Sequence, residues 1–301
     1  MDKTVLSLLP INLINEIKDI NALEEIRIRI GKRVLLKYID KEVFLDYKIT
    51  KYDMEDILEK IFKGSRYSYQ NEIVNGFITI EGGHRIGITG SGVIENNELV
   101  NICNINSLNI RISKIIEDVS CFLDSYIVEE NKLCTTLIVS IPGMGKTTIL
   151  KDLIRRISDG KVKGLSSYTV GVVDERMELS SSFDGENQIY LGEKTDVITN
   201  VNKDKGMKML IRSMSPEVLV VDEIGTKEDI EVIKYGITSG VKGIFTAHGD
   251  SLENLLLNPI IENLINLNII ERIIVLDSFV KGKIYKVYKN SKEGYIKLWL
   301  N

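Results

Sequence analysis

The sequence predicts an α/β chain, with a mainly parallel sheet crossed by helices and, ahead of it, a smaller α+β domain. Three observations carry this. Four apolar runs, at 137–139, 170–173, 218–221 and 243–246, each end in polar residues. Strands buried on both faces of a parallel sheet read that way, with their polar ends at the ligand-bearing edge. Stretches of helical period lie between them, as crossovers require, whereas in the first third of the chain Glu25 to Gly31 alternates strictly between apolar and polar residues.

In chain order, Leu6 to Ile20 reads as one helix, with Ile11, Ile14 and Ile17 on its buried face. Glu25 to Gly31 alternates as a half-buried strand does, and Val34–Leu36 and Glu42–Phe44 suggest two more. Lys51 to Phe62 predicts a helix with Ile57, Leu58 and Ile61 inward. The stretch 77–88 predicts a hairpin turning on Gly82-Gly83, where His84 is most simply structural. These elements make an N-terminal domain of residues 1–112. A helix from Ile115 to Tyr126 is expected to lead into the second domain, 113–301.

The second domain opens on its most informative stretch. Leu137-Ile138-Val139 runs into Ser140-Ile141-Pro142-Gly143-Met144-Gly145-Lys146-Thr147-Thr148. This is a strand, a glycine-bearing turn and a helix start, the order of a phosphate-binding loop. Gly143 and Gly145 let the backbone curl so that its N–H groups face phosphate oxygens. Lys146 supplies an ammonium for the β/γ-phosphates, Thr147 a hydroxyl for Mg²⁺, and the helix N-terminus its free amides. The motif expects glycine where this chain has Ser140, which is compatible with the turn if its φ stays negative or the loop absorbs some strain. Ile149, Leu150, Leu153, Ile154 and Ile157 then share one helix face, with Lys151, Asp152, Arg155 and Arg156 on the other. Asp159-Gly160 ends that helix.

The run Val218–Val221 ends in Asp222-Glu223. Asp222 suits Mg²⁺ beside Thr147, and Glu223 suits polarising the attacking water. Val170–Val173 ends in Asp174-Glu175-Arg176. Glu175 either orients water or Mg²⁺ or pairs with Arg176. Gly243–Thr246 ends in Ala247-His248-Gly249, where His248 is either a structural histidine or a sensor of the γ-phosphate or attacking water. Arg212, on a helical stretch at 207–213, is an ion-pair residue or a nucleotide contact. Residues 185–196 read as loop. The last three runs, 272–276, 283–289 and 295–299, look like antiparallel strands that extend the sheet or cover its edge.

Composition narrows the classes. With 44% hydrophobic and 27% charged residues the chain reads as an ordinary globular protein. A net charge of −4 gives no global attraction to nucleic acid or anionic lipid. The three cysteines, Cys103, Cys121 and Cys134, are far apart, which suggests a reducing compartment and no zinc site. No export signal is visible, and no apolar run approaches the roughly 20 residues needed to span a bilayer.

The strings VGVVDERMELSSSF, MKMLIRSMSPEVLVVDEIG and FTAHG, with LEEIRIRIGKRVLL, GFITIEGGHRIGITG and SLNIRIS upstream, together resemble the stage III sporulation AA family. That family is similar to the secretion and pilus-retraction ATPases. The resemblance implies a RecA-like, secretion-ATPase-like P-loop NTPase core and a cytosolic ATPase using ATP and Mg²⁺. It would act on the mother-cell side of the forespore membrane, energising a channel built by membrane proteins of the same operon, without inserting itself. It also implies a homo-oligomer, most simply a hexameric ring, in which arginines of the N-terminal domain or a neighbour reach the phosphates. Arg85 and Arg111 are the positions available, each equally readable as a surface or ion-pair arginine. Where the wider family has Gly-Glu at the strand tip this chain has Asp222-Glu223, which makes direct acidic support of Mg²⁺ more natural. Two other functions stay open: a nucleic-acid-binding P-loop ATPase and a nucleotide-gated scaffold with little hydrolysis. Against the first, the Arg-x-x-x-His signature of related strand-binding modules is absent, since the only histidines are His84 and His248.

Overall fold

Pro10 divides the first helical stretch. The computed structural model describes residues 3–18, 22–64, 69–113, 116–182, 185–291 and 294–298. In it α1 (Lys3–Leu8) ends before Pro10 and α2 (Ile11–Glu16) begins after it. Pro10 sits at φ −59° and ψ 141°. It has no N–H to continue a helix and turns its predecessor away from helical geometry. The single helix expected over 6–20 is corrected to two short ones; residues 19 and 20 lie outside the described residues.

The chain forms two compact units, Met1–Ile115 with Ser181–Ile189, and Ile116–Ser180 with Tyr190–Asn301. The segment 181–189, which a boundary at 112/113 assigns to the second domain, groups with the first.

In the first unit β1 (Leu23–Arg29), β2 (Arg33–Tyr38) and β3 (Glu42–Lys48) precede α3 (Lys51–Phe62) and α4 (Gln70–Val74); β4 (Phe77–Ile80), β5 (His84–Glu95) and β6 (Glu98–Arg111) follow. The strands make an antiparallel sheet in the order β3-β2-β1-β6-β5-β4. The alternation of β1 has its expected result: Ile26 and Ile28 are fully buried, and Ile26 lies opposite Ile110, itself opposite Ile86. A capping box starts α3, with Thr50 Oγ1 accepting from Asp53 N and Asp53 Oδ2 from Thr50 N. The β4–β5 hairpin turns at Gly82 and Gly83, φ 84° and 72°. His84 is buried there and its Nδ1 accepts from Ser113 N at 3.1 Å, a structural role. Gly82 N donates to Gln188 Oε1 at 2.9 Å, which ties 181–189 into this unit.

In the second unit α5 (Asp124–Ile127), β7 (Val128–Glu129) and β8 (Lys132–Leu133) lead to β9 (Thr136–Ser140) and α6 (Lys146–Ser158). Then come β10 (Val170–Asp174), β11 (Thr195–Thr199), α7 (Lys203–Ser213), β12 (Val218–Val221), α8 (Lys227–Thr238) and β13 (Lys242–His248). The chain closes with α9 (Leu252–Leu256), α10 (Pro259–Asn266), β14 (Arg272–Leu276), β15 (Ile284–Ser291) and β16 (Gly294–Leu298). The main sheet runs β11-β10-β12-β13-β9-β14-β15-β16. It is parallel from β11 through β14 and antiparallel beyond.

Three expectations are corrected here. β14 is parallel to β9, because α9 and α10 carry the chain across so that it re-enters in the same direction; only β15 and β16 are antiparallel, and Trp299 lies outside the described residues. Thr195 and Asp196 belong to edge strand β11 rather than to a loop. The helix expected over 115–126 shrinks to a 3₁₀ turn at Cys121–Leu123 and the single turn of α5, Ile115 being outside the described residues. Asp152 on α6 explains this: its carboxylate accepts from Asp118 N, Ser120 N and Ser120 Oγ at 2.6–2.9 Å, so those amides never enter a helix.

That network also changes the reading of α6. Asp152, Arg155 and Arg156 are all buried despite lying off its apolar face. Arg155 Nη2 bonds Asp152 Oδ1 at 2.6 Å, and Arg156 holds Asp124 through both Nη atoms at 2.7 Å. Burial acts to raise the Asp152 pKa, but these donors prevail and hold it below the usual carboxylate range. Helix α6 ends as expected, with Gly160 at φ 67°.

Candidate nucleotide-binding site

Parallel register sets the strand tips level. Val221 aligns with Val173 and Phe245, and His248 with Ser140. Asp174, Asp222, Glu223, His248 and the loop after Ser140 therefore occupy one carboxyl edge of the second unit's sheet, where open α/β sheets bind ligands.

Ser140 is the last residue of β9, and its strand backbone needs no positive φ. The missing motif glycine therefore costs no strain at this position. Its Oγ is buried without a hydrogen-bond partner beneath the loop. After Ile141 and Pro142, Gly143 and Gly145 take φ values of 83° and 90°, which L side chains adopt only under strain. Gly145 caps α6, and the first-turn amides at Lys146, Thr147 and Thr148 have no intrahelical carbonyl to meet. Gly282 N donates to Met144 O at 3.1 Å and braces the loop from outside.

Lys146 Nζ donates to Ala247 O at 3.4 Å and lies 3.4 Å from His248 Nδ1. Its burial lowers the ammonium pKa, and the pull of Asp222 and Glu223 offsets this only in part. Thr147 Oγ1 donates to Asp222 Oδ2 at 3.3 Å. The other Asp222 oxygen accepts from Thr246 Oγ1, which in turn accepts from Glu223 N at 2.7 Å. Glu223 is a non-glycine residue at φ 57°, fixed by that bond and by Lys203 Nζ, which donates to its carbonyl at 2.6 Å. Its Oε1 lies 2.9 Å from His248 Nε2 and its Oε2 accepts from Arg176 Nη1 at 3.1 Å. Burial acts to raise the Glu223 pKa, but Arg176, His248 and Lys146 outweigh it and keep the carboxyl below its ordinary range.

The structure thus brings Lys146, Thr147, Asp222, Glu223 and His248 into one connected cluster. Glu175 stands beside it but pairs with Lys203 at 3.5 Å, so the Glu175–Arg176 ion pair is corrected: Arg176 serves Glu223 instead. Arg212 lies on the exposed face of α7. Arg85 and Arg111 belong to the first unit and face each other across β5 and β6. The Arg85 guanidinium lies 3.5 Å over the Phe77 ring, and Arg111 Nε is 3.8 Å from Glu25 Oε1, its side chain 62% exposed.

The sequence pattern assigned no site role to Thr246, Lys203 or Lys151. Burial lowers the Lys151 pKa, partly offset by Asp174, Glu178 and Asp222. The signal for Thr246 was a hydroxyl inside an apolar run, and for Lys151 a cation one turn into the phosphate-loop helix. As a donor set, the hydroxyl and carboxylate of Thr147 and Asp222 are hard oxygens suited to magnesium. The free amides and the Lys146 ammonium suit phosphate. The residues fit a magnesium nucleoside triphosphate.

The class that fold and site define is the P-loop fold of secretion and pilus ATPases. The pilus retraction motor PilT with bound ADP superposes with a TM-score of 0.57, covering 96% of this chain and 81% of that one at 15% identity. The Legionella pneumophila ATPase DotB gives 0.55, covering 90% and 78% at 12% identity. Within that class the sequence is specific. The family model "Sporulation stage III, protein AA" matches residues 4–294. Stage III sporulation protein AA of Bacillus subtilis (strain 168) is 38% identical over 242 residues, 80% of this chain and 78% of that protein. The chain belongs to the sporulation stage III protein AA family.

Proposed function

We propose that this chain hydrolyses ATP and uses the energy to drive a membrane channel or secretion complex between mother cell and forespore during sporulation. The observation that carries the reading is the connected cluster Lys146–His248–Glu223 beside Thr147–Asp222 on one sheet edge. In this reading Lys146 and the first-turn amides of α6 hold the phosphates and stabilise charge that grows on the γ-phosphoryl oxygens. Glu223 orients the attacking water and takes its proton, and His248 sets the position of that carboxylate relative to Lys146. Thr147 and Asp222 would hold Mg²⁺, which supplies further charge neutralisation when bound.

Arg85 and Arg111, cross-strand neighbours in the first unit, are proposed to bring positive charge to the phosphates within a homo-oligomeric ring, most simply a hexamer. Among the described residues no helix is long and apolar enough to cross a membrane. In this reading the chain works in the cytosol, on the mother-cell side, held to the membrane by channel proteins of the sporulation operon. It requires no nucleic acid.

The grip of Arg176 and His248 on Glu223 favours a second reading, in which the chain is a nucleotide-gated scaffold that turns over only when a partner frees that carboxylate. Nucleotide titration and phosphate release separate the possibilities. Lys146→Ala should lose binding. Glu223→Gln should keep binding and lose about 10²-fold or more of turnover. Unchanged turnover in Glu223→Gln removes Glu223 from its role, and negligible basal turnover that partner proteins restore supports the gated scaffold.

A further inference from the structure

The segment 277–283 follows β14, which pairs parallel to β9, so it leaves the sheet at the same edge as the phosphate-binding loop. It is a closed, internally bonded turn. Asp277 Oδ1 accepts from Phe279 N at 2.7 Å and Val280 N at 2.9 Å, and Asp277 N donates to Lys283 O at 2.7 Å. The Gly282 N–Met144 O bond pins it to the phosphate loop, and a Cβ built on Gly145 would stand 3.5 Å from Lys281 Cγ.

At the tip of this turn Phe279 is 95% exposed, more than any other large hydrophobic side chain among the described residues, and Val280 beside it is 51% exposed. A solitary exposed apolar residue is ordinary. Here, however, a hydrogen-bonded turn holds an aromatic ring in solvent three residues from Gly282, the anchor on the phosphate loop, so that the two Cα atoms lie within about 11 Å by chain length. Packing does not account for that placement, because the ring buries almost nothing. An aromatic face beside a site for phosphates suits the planar end of the same ligand: every nucleobase offers a π-face, and stacking needs no particular hydrogen-bond edge.

We propose that Phe279, flanked by Val280, is the stacking platform for the base of the nucleotide whose phosphates lie on the 140–148 loop. The inference rests on the nucleotide-binding reading above and deepens it. Recognition by a π-face also means that the site holds adenine and guanine nucleotides with similar strength.

Inorganic tripolyphosphate, ATP and GTP, titrated against wild type, Phe279→Ala and Phe279→Trp, test it; the Trp variant is made in a Trp299→Phe background because Trp299 is the only tryptophan. Phe279→Ala should weaken ATP and GTP alike by about tenfold while leaving tripolyphosphate unchanged. Phe279→Trp should keep ATP affinity, its emission quenched by ATP and not by tripolyphosphate. Undiminished ATP binding by Phe279→Ala overturns the platform while leaving the phosphate site standing. Equal losses for ATP and tripolyphosphate also overturn it, since the turn would then only brace the loop. A wild-type chain that binds neither ligand removes the nucleotide reading and this inference with it.

Discussion

The His248 imidazole and the Glu223 carboxylate meet at 2.9 Å, Nε2 to Oε1, while the opposite ring nitrogen lies 3.4 Å from Lys146 Nζ. One ring thus touches both the proposed water-activating acid and the proposed phosphate-binding cation. His248→Ala should lower turnover by about 10²-fold while changing ATP affinity much less, because Lys146 and the α6 amides remain. Single-turnover hydrolysis beside equilibrium titration reads the two effects separately; a loss confined to affinity would make His248 a binding residue only.

Arg176 is the salt-bridge partner that holds the Glu223 carboxyl below its usual range, with His248 and Lys146 assisting against burial. Arg176→Ala should therefore raise that pKa. A base must be ionised to act, so the acid limb of the kcat–pH profile should move to higher pH in the variant. An unmoved limb would show that some other group sets it.

Asp152 anchors the segment 118–120 and Arg155 from within the second unit. Asp152→Asn leaves the Arg155 guanidinium without its buried partner and should cost about 3 kcal/mol of unfolding free energy. The Asp152 pKa is depressed on folding, so its stabilisation is fully present above the ordinary carboxylate pKa of about 4 and is lost as pH falls through the lower, folded value. Urea denaturation from pH 7 towards acid should show a shallower loss of stability in the variant than in the wild type.

Arg111 is 62% exposed and only loosely paired with Glu25, so Arg111→Ala should barely change stability. If it reaches phosphate in an assembled ring, the variant should nonetheless lose 10²-fold or more of turnover with the oligomer intact. Light scattering with a non-hydrolysable ATP analogue, run beside the rate assay, checks both halves; Arg85→Ala provides the matched comparison on the adjacent strand.

Four of the six parallel strands, β9, β10, β12 and β13, were legible because they are short, largely apolar and end in chemistry-bearing residues, whereas β11 has no such run and β14 read as antiparallel; the alternation of Glu25 to Arg29 announced the antiparallel sheet as directly. What escaped was set by partners distant in sequence. Asp152, Arg155 and Arg156 look like a solvated helix face until residues 118–124 fold over them. The same contact removes the helix expected over 115–126, and a lone Pro10 outweighs the apolar period on either side of it. At the candidate site, the convergence of Lys146, Thr147, Asp222 and Glu223 was readable from spacing. Arg176 was not, because charge alone does not say whether it will turn to Glu175 beside it or to Glu223 on the next strand.

The Thr246 hydroxyl donates a hydrogen bond to Asp222 and accepts one from the backbone N–H of Glu223, so the two neighbouring acids share one fastening on β13. The same strand carries His248 and the carbonyl that meets Lys146. It is therefore placed as a yoke: a small slide of β13 against β12 would disturb Asp222, Glu223 and the Lys146 ammonium in one stroke. The proposed catalytic edge would engage or disengage as a single mechanical object.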